Sequence, residues 1–146
     1  MKLEFRIVSA ADYDFLWSLH EEAYREHIEA IWGWDDVYQK AHFDHEFAER
    51  DADRTLIVVD DQIVGELHIE QRVDELFVRN IKIRGLSQGR GIGALVFERL
   101  KRRARQRGDA IVLWVFRTNK RAHAFYESLG FTQFASTETH HHLRWT

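Results

Sequence analysis

A chain of 146 residues that is 45% hydrophobic and 13% aromatic has the size of one domain and enough apolar surface for a core. Its net charge of −3 argues against an overall electrostatic drive toward nucleic acid or anionic membranes, and its lack of cysteine excludes disulfides and thiolate metal sites. No apolar run reaches the roughly 18 residues of a membrane span, and Met1 to Arg6 alternates charged with apolar residues where a secretory signal would be uniformly apolar. These features lead us to expect a single cytoplasmic domain over residues 1–146, with neither nucleic acid nor membrane as partner.

Leu3 to Val8 reads as a short strand. Ser9-Ala10-Ala11-Asp12 has the form of a capping box, and Leu16, Leu19 and Ala23 follow it at helical spacing. Trp32-Gly33-Trp34-Asp35 breaks that helix, and a second runs from about Asp36 to Ala48. Thr55 to Val59 and Ile63 to Glu70 flank an Asp60-Asp61 turn that lacks the usual glycine. On the second of these strands Gly65, Leu67 and Ile69 share one face, leaving Glu66, His68 and Glu70 on the other. Leu76 to Ile83 is a further strand in which Leu76 and Val78 share one face but Ile81 and Ile83 share the opposite one. Either the strand slips by one residue near Arg79-Asn80, as a β-bulge of the kind found beside active sites, or it is buried on both faces.

Beyond a glycine turn, Ile92, Val96, Leu100 and Ala104 recur every fourth residue, which predicts a helix closed by Gly108. Ala110 to Phe116 is a buried strand, Asn119 to Leu129 a helix stopped by Gly130, and Phe131 to Phe134 and Thr139 to Trp145 are closing strands. The order implies an α/β (α+β) fold, a mixed central sheet of six to seven strands with helices on both faces.

The turn Gln88-Gly89-Arg90-Gly91-Ile92-Gly93 lies between a strand and a helix, where free backbone amides and the helix dipole suit a phosphate or pyrophosphate. A P-loop would need Gly-Lys-Ser/Thr, whereas Gly89 is followed by Arg90 and Gly91. A dinucleotide fingerprint is satisfied on paper by Gly89-x-Gly91-x-x-Ala94, yet the next strand ends near Phe116-Arg117 without the acidic residue that motif requires. Gln88-x-x-Gly91-x-Gly93 resembles the pyrophosphate motif of the GNAT superfamily of N-acetyltransferases, and Ile83 stands where that family carries a hydrophobic residue at the end of its bulged fourth strand. Asn119-Lys120-Arg121-Ala122-His123-Ala124-Phe125-Tyr126 followed by Leu129-Gly130-Phe131 resembles the family's second signature. Gly85, where many relatives have proline, is a departure that a turn accommodates.

The resemblance implies a GNAT-like fold with a bulged fourth strand and acetyl-CoA as co-substrate, without a metal. It implies a cofactor site of Ile81, Ile83, Gln88, Gly89, Arg90, Gly91, Ile92, Gly93, Ala94, Asn119 and Phe125. Backbone groups at Ile81 and Ile83 would pair with the pantetheine arm. Tyr126 occupies the position from which the family protonates the departing thiolate, and packing beside Phe125 is its structural alternative. Asn119 would bind the cofactor, cap its own helix, or do both. With no cysteine to carry the acetyl group, direct transfer to a primary amine is expected. Glu66 is the candidate base, with His68, Glu70 and Glu75 as alternatives.

In the family the segment between the first two helices lines the acceptor site, which nominates Trp32, Trp34 and Asp35 for a small-molecule amine, beside Tyr38 and Gln39. The basic run from Arg99 to Arg107 reads as a solvated helix face rather than a nucleic-acid surface. His140 and His142 share a strand face, but no third metal ligand accompanies them. The expected activity is N-acetyl transfer, with a noncatalytic acyl-CoA sensor on the same fold as the alternative and a homodimer as a possible assembly.

Overall fold

The computed structural model describes residues 1–146. In chain order its elements are β1 (Leu3–Ile7), α1 (Tyr13–Ile31), α2 (Asp36–Ala48), β2 (Arg54–Val59), β3 (Gln62–Gln71), β4 (Glu75–Ile83), α3 (Ile92–Arg107), β5 (Ala110–Phe116), α4 (Lys120–Ser128), β6 (Thr132–Ser136) and β7 (His140–Trp145). The strands hydrogen-bond in the order β1-β2-β3-β4-β5-β7-β6. β4 and β5 run parallel, while β1/β2, β2/β3, β5/β7 and β6/β7 are antiparallel, so the seven-stranded sheet is mixed.

The chain packs as two compact units, Met1–His68 with Ile81–Gln88 and Ile69–Asn80 with Gly89–Thr146. The division falls inside β3 and β4, so each unit draws on both strands.

In the first unit, Asp12 accepts hydrogen bonds from the Ser9 backbone N–H at 2.8 Å and from the Ser9 hydroxyl at 3.2 Å, which starts the first helical segment as the capping box requires. Leu16 and Leu19 of α1 and Phe43 and Phe47 of α2 then bury against Val8, Leu56 and Val58. Asp60 and Asp61 both take positive φ, 50° and 66°, the conformation a tight hairpin needs and one that aspartate tolerates better than most residues.

The second unit is built around α3, whose Ile92, Val96, Leu100 and Ala104 are buried with Phe97. Phe97 meets the rings of Phe125, Tyr126 and Phe131 edge-on, tying α3 to α4 and to the turn before β6. Gly108 ends α3 with φ 73°, the left-handed conformation of a C-terminal cap.

β4 runs unbroken from Glu75 to Ile83. Leu76, Phe77 and Val78 are buried, so this part of the strand is covered on both faces. Toward its end Ile81 and Ile83 are half-buried and the residue between them, Lys82, is buried. Register shifts occur at Ile57/Val58 in β2 and Gln133/Ala135 in β6. Parallel pairing of β4 with β5 covers Glu75 to Val78 against Ala110 to Leu113.

Gly65 is required where β3 crosses Lys82. A Cβ there would fall inside van der Waals contact of the Lys82 carbonyl oxygen and 3.1 Å from Ile83 Cα, both backbone atoms that cannot step aside. Gly65→Ala is expected to destabilise the protein by about 1–3 kcal/mol, read as a lower denaturation midpoint at unchanged m-value.

Candidate functional site

The glycine turn belongs to the second unit from Gly89 onward. Gly89 and Gly91 have φ of 78° and 79°, and a Cβ at either would meet nothing within 4 Å. The space beside the turn is therefore open, and it is backbone conformation that calls for glycine there. Gly91 is the N-cap of α3 and has no side chain to satisfy the first-turn amides; the helical ladder begins with Leu95 N–H to Gly91 O at 3.1 Å. Ile92 is buried and anchors the helix start, while Arg90 and Ala94 are exposed. Uncapped amides at a positive helix end, with open space before them, fit a pyrophosphate. Gln88, the last residue of the first unit, donates from Nε2 to Ile83 O at 2.9 Å and so braces the loop between β4 and the turn.

On α4 the side chain of Asn119 accepts from Ala122 N–H at 3.1 Å, which identifies it as that helix's N-cap. Tyr126 is buried among Phe97, Phe125 and Phe131. Burial raises its pKa, so the phenol stays protonated throughout the physiological range and keeps a proton to donate.

The first unit holds a chain of polar side chains, one from each of five elements. Arg54 Nε of β2 donates to Glu66 Oε2 of β3 at 2.6 Å, and Lys82 Nζ of β4 lies 3.5 Å from Glu66 Oε1. Lys82 Nζ is also 3.4 Å from His20 Nδ1 of α1, and His20 Nε2 is 3.3 Å from Gln39 Oε1 of α2. Burial raises the Glu66 carboxyl, but Lys82 and Arg54 more than offset it and hold the group below the usual carboxylate range. With 1% exposure and an ion-pair partner on each oxygen, Glu66 is a counter-ion; that position does not suit the base anticipated at this residue. β3 is covered on both faces here, which the alternation of its sequence did not indicate. The alternative bases are likewise engaged: His68 faces Asp51 at 3.4 Å, and Glu70 and Glu75 pair with Arg72 at 2.9 and 3.4 Å.

Sequence reading passed over Lys82, His20 and Arg54. The one available signal was a lysine between two isoleucines at the end of a strand. Burial lowers Lys82 from the ordinary lysine value, with Glu66 pulling the other way. Burial, reinforced by Lys82, lowers His20 to about 4.

The segment between α1 and α2 is differently arranged from the expected amine-binding wall. Asp35 accepts from Tyr38 N–H at 3.0 Å and caps α2, so its carboxylate is committed to the helix start. Trp34 donates from Nε1 to Asp36 at 2.5 Å, packs beside Trp17 and His20, and has Arg25 over its ring at 5.1 Å. Trp32 is 61% exposed. In the second unit, His142 stacks on Trp114 at 4.4 Å and His140 on Phe116 at 4.6 Å. No group of three or more His, Cys, Asp or Glu side chains could hold a metal ion. No helix is long and apolar enough to cross a membrane. The cations of α3 are spent partly on local contacts: Lys101 and Arg105 lie over Trp145 at 5.3 and 5.0 Å, and Arg107 pairs with Asp109 at 3.0 Å.

Because His20 is depressed in the folded state, the unfolded chain binds more protons between about pH 6.5 and 4, and stability falls as pH drops through that window. His20→Gln should remove roughly 2 kcal/mol of that acid dependence, measured by denaturant unfolding at the two ends of the window.

The sequence model of the acetyltransferase (GNAT) family matches residues 13–131. No curated protein sequence matches. Among solved structures, the PaiA N-acetyltransferase of Thermoplasma acidophilum in complex with coenzyme A is similar at TM-score 0.76 and 14% identity, over 99% of this chain and 98% of that one. An acetyltransferase of Thermus thermophilus gives 0.75 and 20% identity, over 99% and 97%. The ribosomal-protein-S18-alanine N-acetyltransferase of Escherichia coli gives 0.69 and 17%, over 98% and 92%. At these identities the structural likenesses establish the fold, while the family match spans most of the sequence. With its uncapped glycine turn before α3, its mixed sheet and its matched residues, the chain belongs to the GNAT family of acetyltransferases.

Proposed function

We propose that residues 1–146 act as one catalytic domain that moves an acetyl group from acetyl-CoA directly to a primary amine of a small-molecule acceptor. The observation that carries this is the uncapped N-terminus of α3, preceded by two glycines with positive φ and open space, in a chain of acetyltransferase descent. The coenzyme A named with the Thermoplasma protein supports the same assignment. Acetyl-CoA supplies the activated thioester.

The amides of Ile92, Gly93 and Ala94, with Gly89 and Gly91 giving close approach, hold the pyrophosphate; Arg90 adds positive charge at the exposed side. Gln88 keeps the loop from Ile83 in shape. Ile81 and Ile83 offer backbone groups to the cofactor's arm, while in the second unit Asn119 caps α4 and Phe125 packs edge-on against Phe97. Tyr126, held protonated, donates toward the departing sulfur. Trp32 and Trp34 contribute aromatic surface to the acceptor; Asp35 serves by fixing the start of α2 next to them.

Calorimetric titration with acetyl-CoA, with NAD and ATP as controls, tests the assignment. Selective acetyl-CoA binding that disappears in Gly91→Glu, checked as folded by circular dichroism, is the expected result. The substituted residue would carry about 1–2 kcal/mol of left-handed strain and set a carboxylate against the pyrophosphate. Binding of NAD in place of acetyl-CoA, or of neither, would defeat the proposal. A panel of small primary amines set against peptides with free N-termini separates the acceptor classes. Tyr126→Phe should lower kcat about 10²-fold while leaving the acetyl-CoA Kd unchanged; an unaltered kcat would remove Tyr126 from the chemistry.

A further inference from the structure

We propose that Glu22 of α1 is a positioning residue for the cofactor: by accepting the backbone N–H of Gly85 it holds the loop from Ile83 to Gln88 in the form that binds acetyl-CoA. The inference rests on the reading above that Ile83 and Gln88 belong to the acetyl-CoA site. Glu22, Ile83, Gly85 and Gln88 all lie in the first unit, and Gln88 leads along the chain directly into Gly89.

β4 ends at Ile83, and Gly85–Ser87 forms a single 3₁₀ turn ahead of the glycine turn. Arg84 N–H donates to Val64 O at 2.8 Å, which fixes the start of the loop to β3. Within the turn Ser87 N–H donates to Arg84 O at 2.9 Å and Gln88 N–H to Gly85 O at 3.2 Å. Gly85 opens the turn, so its own N–H has no acceptor inside it, and that N–H donates to the Glu22 carboxylate. Leu86 is 90% exposed, so its side chain adds no apolar burial and polar contacts have to hold the turn. A second residue of α1 reaches the same loop, since the Arg84 guanidinium lies over the Phe15 ring at 5.8 Å. Phe15 and Glu22 stand about two helical turns apart, so one face of α1 presents both.

The glycine at position 85 answers to this contact. Gly85 does not share the positive φ of Gly89 and Gly91, so its backbone conformation does not call for glycine. A Cβ there would sit 2.8 Å from Glu22 Oε1, and the bare Cα is what lets the carboxylate come up to the N–H. A hydrogen bond from a backbone amide to an ionised carboxylate belongs to the stronger, charge-assisted kind. In a turn without an apolar anchor it limits departures from one conformation, and a loop already in its bound form loses less entropy when the ligand arrives. A proline would impose a similar restraint by another route. Arg84 has ψ 141°, which suits a residue before proline, and the first position of a helical turn accepts the fixed φ and the missing N–H. Glycine leaves φ free, and the Glu22 contact supplies the restraint in its place.

Calorimetry with acetyl-CoA, denaturant unfolding and amide hydrogen exchange on the whole chain test this. Glu22→Ala should raise the acetyl-CoA Kd about 5-fold and speed exchange of the Gly85 amide in the ligand-free protein by about the same factor. The denaturation midpoint should stay unchanged, because the contact is exposed. Glu22→Gln keeps an accepting oxygen and should hold the Kd within about 2-fold of wild type. Gly85→Pro removes the donor and fixes φ, so in that background Glu22→Ala should leave the Kd where Gly85→Pro alone sets it. A Glu22 that merely supported the fold would lower the midpoint in both backgrounds. The inference is overturned if Glu22→Ala leaves the wild-type Kd or the Gly85 exchange rate unchanged, or if it weakens binding equally in the Gly85→Pro background. Those outcomes leave the cofactor reading standing; a wild-type chain that does not bind acetyl-CoA removes both.

Discussion

A carboxylate with 1% exposure has to be met by cations, and the first unit is organised around meeting Glu66. Arg54 and Lys82 supply the charge, His20 and Gln39 extend the chain of contacts, and each of these five residues comes from a different element. Removing one member of such a pair typically costs about 3–5 kcal/mol, because the partner is left charged and unsolvated. α1, α2, β2, β3 and β4 are therefore held in one arrangement by a directional interaction as well as by the apolar cluster of Leu16, Leu19, Phe43, Phe47, Leu56 and Val58. Gly65 belongs to the same constraint: its missing side chain admits the Lys82 backbone.

The second unit follows a different logic. Its candidate ligand-binding feature is made of backbone, and side chains act there mainly by being absent. The turn at Gly89 and Gly91 stays open, and α3 keeps its first amides uncapped at the positive end of its dipole. The buried stripe of Ile92, Val96, Phe97 and Leu100 holds the helix so that this end stays exposed. Tyr126 is packed by the same aromatic cluster, and its burial makes it a donor at any working pH.

An acetyltransferase must make its donor available on one side of the chemistry and a neutral amine on the other. Backbone amides suit the first task, since pyrophosphate binding needs fixed dipoles and no titration. The second task concerns a proton. In the first unit, separately, titratable groups are drawn together and moved from their ordinary values by burial and ion pairing. His20 and Lys82 are lowered by burial, and Glu66 is held down by its two cations.

The sequence by itself determined the elements of local origin. Asp36 to Ala48 and Ala110 to Phe116 coincide with α2 and β5, and the remaining strands and helices lie within a few residues of expectation. The glycine turn, the Asn119 cap and the Gly108 stop were equally legible, because each depends on neighbours a few residues away. Glu66 and Asp35 show the limit. Both carry the right chemistry for a base and an amine anchor, but what a carboxylate does depends on what surrounds it. Asp35 is claimed by a backbone amide three residues on, and Glu66 by Arg54 and Lys82, 12 and 16 positions away. Alternation in β3 separates two faces but cannot say that both are covered, and β4 hides its buried lysine for the same reason. Tertiary structure alone decided which charges meet, because ion pairing is set by distance and burial in space, and neither is written in spacing along the chain.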